Sequence, residues 1–380
     1  MDLVRIPGSA IVEISRLAFG IPDVDFLCFG ESDHPSPDSA RAALVAALDG
    51  GATRYPDVRG LPPLRDALAQ YLTALHSRPV CEERIQITAS GMAAVAVALA
   101  ATVRAGDRVV LHAPAWPNLG NAVRLRGAAL DEIALEASPE GGFRLNLDRL
   151  AAKLPGARAL ILNSPNNPTG WTATEDELCA LLDLCRRSGT WLIADEVYSR
   201  LVYDGATAAP SLLDIAEPDD RVIVANSFSK AWVMTGWRLG WLVLPHGTRD
   251  GVTEIVEVTH SGVAPFIQHA GLAALVDTEF FERFRARCAA GRQRVGEVLG
   301  ALNRVRYAPP DGAFYAFFGV DGLRDSVALA RRLLTDHAIA VAPGSAFGEA
   351  GEGHIRICFA QEPERLTRAL ERLSSGLSAT

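Results

Sequence analysis

The sequence predicts an α/β protein: a large domain with a mainly parallel sheet flanked by helices, plus a smaller α+β domain. Three observations carry this. Between about residues 80 and 245, short apolar runs alternate with amphipathic helical stretches, the pattern of a sheet wrapped by helices. After about residue 275 the texture shifts to a long Arg/Glu-rich helix followed by apolar strands. Finally, 380 residues exceed one comfortable core. The large domain is placed at residues 41–275, and the small one at 1–40 together with 276–380.

The elements follow in order. Residues 85–88 (I-Q-I-T) form a strand ahead of a helix from 91 to about 104, which ends at Gly106. Strands at 108–111 and 159–163 come next. Thr174-Glu175-Asp176-Glu177 is a capping box, and its helix closes near Arg187, before Gly189. Further strands lie at 191–194, 222–225 and 241–244. Beyond them come a helix over 280–302, strands around 314–318 and 355–359, and a closing helix from Pro363.

The bulk properties exclude several functions. A net charge of −8 with no basic run argues against nucleic-acid or anionic-membrane partners. The longest apolar stretch, 93–103, is too short to span a bilayer, and the first residues lack the pattern of a secretory signal. The six cysteines show no C-x-x-C spacing, so no metal site is expected and a reducing, cytoplasmic setting is.

Lysine usage narrows the chemistry. Only Lys153 and Lys230 occur, so 35 of the 37 basic residues are arginine, which cannot act as a neutral amine. Lys153 sits in a short amphipathic helix and reads as a surface residue. Lys230 sits in N-S-F-S-K-A-W-V-M-T-G-W-R, residues 226–238. The S-x-x-K from Ser227 to Lys230 matches a serine acyltransferase signature, but K-T-G and S-D-N are missing, as is any G-x-S-x-G elbow.

Ligands of open α/β sheets gather at the carboxyl ends of the strands. Those ends carry Ser90-Gly91-Met92 at a helix start, Trp116, the amides of S-P-N-N-P-T-G (164–170), Asp195-Glu196-Val197-Tyr198, and the Lys230 stretch with Arg238. A helix start and an arginine suit a phosphate, and a carboxylate suits a protonated ring nitrogen. An aromatic can stack on that ring, and one amine can form a Schiff base. Together they describe a pyridoxal phosphate site.

These segments, with G-E-S-D (30–33), Tyr55, P-D-G-A-F-Y, Arg356 and A-P-G-S-A-F-G, resemble the fold-type I pyridoxal phosphate enzymes, specifically the aspartate aminotransferase-like class I/II aminotransferases. The resemblance implies an aminotransferase moving the α-amino group of an L-amino acid to a 2-oxo acid by a ping-pong route. It implies that Lys230 carries the cofactor, Asp195 pairs with its ring nitrogen, and Asn167 and Tyr198 bond its phenolic oxygen. Ser90, Gly91, Met92, Ser227 and Arg238 would bind the phosphate, and Trp116 would stack on the ring. Arg356, with Asn167 and backbone at Gly30, would grip the substrate carboxylate. Tyr55 would reach the site of the partner in a homodimer.

Two departures bear on the substrate. Met92 stands where some relatives place a lysine for an acidic side chain; it either packs into the core or lines an apolar pocket. His34 is either structural or a substrate contact. His260 is a weaker candidate near the partner's pocket. The open alternatives are a lyase, cyclase or amino-acid oxidase on the same fold, and a non-catalytic protein that kept it.

Overall fold

The computed structural model describes residues 6–378. Seven strands build the large sheet: β1 (Ile85–Thr88), β2 (Arg108–Ala113), β3 (Ala129–Ala134), β4 (Ala159–Asn163), β5 (Trp191–Asp195), β6 (Val222–Ser227) and β7 (Gly240–Val243). Their spatial order is β1-β7-β6-β5-β4-β2-β3. The run β6-β5-β4-β2-β3 is parallel throughout, and β7 alone is antiparallel, to both β6 and β1. Every residue of β4 and β6 is buried, as expected for strands covered by helices on both faces.

The expected strands are present within a residue or two. Strand β3 is an addition. Its sequence A-L-D-E-I-A buries only Ile133 and occupies the sheet edge, so it lacks the continuous apolar run that marks the inner strands. The capping box is real: Glu177 N donates to Thr174 Oγ1 at 3.2 Å, and Thr174 N to Glu177 Oε2 at 2.8 Å. Lys153 is a surface residue paired with Asp131 at 2.7 Å.

A second, antiparallel sheet runs Val305–Arg306, Tyr315–Val320, His354–Cys358, Ala342–Pro343. The long helix spans Thr278–Gly300, capped by Asp277, whose side chain accepts from Phe280 N. The closing helix is Pro363–Ser378. Asp25–Phe26 pairs in parallel with Ile339–Ala340, which ties the N-terminal segment to the C-terminal elements. Asp25, almost wholly buried, is held there by Arg368 and Arg372 of the closing helix.

Candidate active site

At the carboxyl ends of the strands lies a crevice of about 330 Å³. One wall begins where β1 meets the helix Gly91–Thr102. Ser90 caps that helix: its hydroxyl accepts from Ala93 N at 3.0 Å and its carbonyl from Ala94 N at 2.9 Å. The N–H groups of Gly91 and Met92 are left over, at the positive end of the helix. Gly91 is required there, because a Cβ would come within 2.9 Å of Val197 and 3.2 Å of Ser227. Beneath them β7 opens with Gly240, where a Cβ would lie 2.6 Å from the Ser90 backbone. The Ser227 hydroxyl accepts from Ser229 N at 3.2 Å, and Arg238, exposed at the crevice, donates to the Thr235 carbonyl. The result is a cradle of two N–H groups, a hydroxyl and a guanidinium, suited to a phosphate.

The next wall comes from β4 and β5. Asn163, at the end of β4, is a hub. Its side-chain oxygen accepts from Asn167 N at 2.8 Å, and its amide donates to the Asp195 carbonyl at 3.2 Å. Its own N–H donates to His112 Nε2 at 3.0 Å. Burial pushes His112 down to about 4, so it stays neutral and accepts through Nε2.

The adjacent acids of the D-E pair divide their work by strand alternation. Glu196 turns away from the crevice and is held by Ser211 Oγ at 2.7 Å and Leu212 N at 3.1 Å. Asp195 lines the crevice, and among the described residues its side chain is bonded only by Val197 N, at 3.4 Å. Burial raises it to about 7, opposed by that N–H and by the charge of Lys230.

Lys230, half-buried, donates to the Gly30 carbonyl at 2.6 Å. Burial lowers its amine to about 8, and nearby Arg356 pushes the same way. Arg356 is fully buried and makes no ion pair among the described residues. One guanidinium nitrogen donates to Asn167 Oδ1 at 2.9 Å and another to the Cys28 carbonyl, while Nε has no partner. Its charge lies 4.4 Å from the centre of the Tyr315 ring. The Tyr315 hydroxyl meets that of Tyr198 at 2.6 Å. Burial holds Tyr198 well above the usual phenol range, so it is a neutral donor.

Gly30, Gly91, Met92, Trp116, Asn167, Asp195, Tyr198, Ser227, Lys230 and Arg238 thus line one crevice, with Ser90 and Arg356 directly behind. Two expected residues are elsewhere. His34 stacks on Phe280 and Phe284, with centroids at 5.7 and 6.4 Å, and lies 3.3 Å from Arg287; the structure does not bring it to the crevice. Tyr55 is 93% exposed, beside a surface hollow shared with Arg54, Pro56, His260 and Phe266. The crevice also holds Asn118, Asn163, Val197, Ser229, Thr235 and Tyr315. Tyr315 ends the P-D-G-A-F-Y segment and could have been found there; Asn118 has no such signal.

The profile of the family described as aminotransferase class I and II matches residues 23–373. The chain belongs to this family. An aspartate aminotransferase of Thermotoga maritima is 33% identical over 99% of this aminotransferase and 98% of its own length. A valine–pyruvate aminotransferase of Mycobacterium tuberculosis is also 33% identical, over 93% of this chain and 91% of its own. Among solved structures, an aminotransferase from Mycobacterium tuberculosis superposes with a TM-score of 0.92 at 31% identity, covering all of both chains.

The enzyme is therefore an aspartate aminotransferase-like transaminase that uses pyridoxal 5'-phosphate. The crevice fits that cofactor. The cradle at Gly91 has no room for a Cβ, and Asp195 is a buried carboxylate whose burial cost a protonated ring nitrogen would relieve. Lys230 is an amine already pushed toward neutrality.

Proposed function

We propose that this aminotransferase carries out both halves of a ping-pong transamination in the one crevice, with the charges divided among four residues. Bound pyridoxal phosphate supplies an electron sink for the pair left when the α-proton departs. Asp195 keeps a proton on the ring nitrogen by charge pairing. Arg238, Ser227 and the N–H groups of Gly91 and Met92, at the helix start capped by Ser90, hold the phosphate. Trp116 stacks on the ring, and Tyr198 and Asn167 donate to its phenolic oxygen. Lys230 would hold the cofactor at rest, and its amine, once free, would take the proton from the substrate Cα. Arg356, with Asn167 and the Gly30 backbone, binds the α-carboxylate and so fixes which bond at Cα lies near Lys230.

The observation that carries this reading is Arg356. A buried cation with no carboxylate partner and an unpaired Nε costs stability, and a substrate carboxylate supplies the missing partner. Arg356→Gln should therefore raise the KM for amino donors by roughly a hundredfold, the cost of losing one member of a buried charge pair. Lys230→Ala should abolish borohydride trapping of the cofactor. An amino acid consumed with release of ammonia or peroxide, and with no pyridoxamine form, would instead mark an eliminating or oxidising enzyme.

The domain division at 41–275 against 1–40 with 276–380 is supported by the pairing of Asp25–Phe26 with Ile339–Ala340. A homodimer in which Tyr55 enters the partner's site is supported by the exposure of that ring on an open hollow. Six free cysteines accord with a cytoplasmic setting, and no described helix is long and apolar enough to cross a membrane.

A further inference from the structure

We infer that the crevice selects amino acids and 2-oxo acids with uncharged side chains, and turns dicarboxylates away in both half-reactions. The inference rests on the assignment of Arg356 to the α-carboxylate and follows from what charge is left once the four assigned groups are counted. Lys230, Asp195, Arg238 and Arg356 are each committed to the cofactor or to the α-carboxylate. Among the described residues lining the crevice there is no further lysine or arginine. Beside Trp116, the lining left without an assigned role is the Met92 side chain with Asn118, Asn163, Val197, Ser229, Thr235 and Tyr315, none of them a cation. Met92 and Trp116 are both half-buried and pack on the same apolar cluster under the sheet, so the wall they share offers dispersion contacts and no hydrogen-bond donor except the indole N–H.

A charge that this chain places beside the crevice, Glu31, has the wrong sign for a second carboxylate. Glu31 is exposed, makes no ion pair among the described residues, and accepts from the hydroxyl of crevice-lining Thr235 at 3.3 Å. Its field reaches the reacting amine, since it acts to raise Lys230 against the lowering by burial. A distal carboxylate entering here would lose its hydration, gain no cation from this chain's lining and meet a like charge. An uncharged side chain pays none of these penalties. Because donor and acceptor occupy the same crevice in turn, the restriction applies equally to the 2-oxo acid.

The test is a half-reaction assay on the pyridoxal phosphate holoenzyme. The loss of cofactor absorbance at the imine band is followed with L-alanine, L-valine, L-leucine and L-methionine, and separately with L-aspartate and L-glutamate. The reverse half is followed with pyruvate, 2-oxoisovalerate, oxaloacetate and 2-oxoglutarate. The best uncharged substrate should exceed every dicarboxylate by more than about tenfold in rate constant over KM, in each direction. A dicarboxylate within tenfold of it overturns the inference while leaving transamination intact. Glu31→Gln should narrow the gap by improving dicarboxylates more than uncharged donors; an unchanged ratio removes Glu31 from the argument and overturns its part. Protein that takes up no cofactor, or a holoenzyme converted by none of these acids, overturns the underlying reading as well.

Discussion

Asp195 and Lys230 are pushed toward neutrality by the same cause, removal from water, and each waits for a partner that restores its charge. This has a consequence for the cofactor-free protein. A carboxyl raised from 3.8 to about 7 binds a proton in the folded state that the unfolded chain has already lost. Stability from this group is therefore full at pH 4 and falls as pH rises toward 7, then levels off. Lys230, at about 8, stays protonated across most of that window and does not cancel the slope. The melting temperature of the cofactor-free enzyme should thus decline between pH 4.5 and 7 relative to Asp195→Asn, which lacks the titrating group. Parallel pH profiles for the two proteins would contradict the assignment.

At the scale of elements, the site is a set of strand ends held in register by hydrogen bonds between side chains in and behind the crevice. Asn163 binds the β4–β5 pair to the turn that presents Asn167, and His112 holds Asn163 from the neighbouring strand. The Tyr198–Tyr315 hydroxyl pair joins the end of β5 to the strand Tyr315–Val320, so it links the two sheets at the crevice itself. Tyr315→Phe leaves the buried Tyr198 hydroxyl without its partner, which should cost about 1–3 kcal/mol. Urea unfolding measures that loss. In the holoenzyme the same substitution should shift the pH dependence of cofactor absorbance, because Tyr198 becomes free to rotate; loss of stability with an unmoved spectrum would make the pair structural only.

The strand ends were legible in the sequence because each is punctuated by Ser-Gly, Asn-Asn-Pro-Thr-Gly, Asp-Glu or Ser-x-x-Lys directly after an apolar run. The edge strand β3 was not, since an edge buries too little to require a continuous apolar pattern. His34 illustrates a question the sequence left open between a structural role and a substrate contact. It lies a few residues from Gly30 in sequence, yet its ring stacks on Phe280 and Phe284 of the long helix rather than facing the crevice. Proximity along the chain said nothing about which way the turn at Gly-Glu-Ser-Asp would aim it.

For the whole molecule, the proposed second copy of the chain would cover the exposed Tyr55 and the hollow around His260. His260 connects that hollow to the phosphate cradle, accepting from Ala89 N at 3.4 Å one residue before Ser90. Mixing Tyr55→Ala and Lys230→Ala chains tests the exchange. If Tyr55 serves the partner's site, each hybrid dimer regains one intact site, and the mixture becomes more active than the average of its parents. If Tyr55 serves its own chain, the mixture stays at that average. Sedimentation should in either case give a particle of twice the 40.6 kDa chain mass.

By itself the sequence determined the α/β class, the cofactor chemistry and most of the groups that meet at the strand ends, because glycine, lysine and strand-end polar residues carry local constraints that survive without coordinates. The tertiary structure decided the rest. It showed that Arg356 is buried without an ionic partner among the described residues, that Glu196 faces away while Asp195 faces in, and that Tyr315 joins Tyr198 across two sheets. It also placed His34 outside the crevice and Glu31 at its mouth. Burial, charge balance and side-chain direction depend on segments hundreds of residues apart, and only the folded chain brings those segments together.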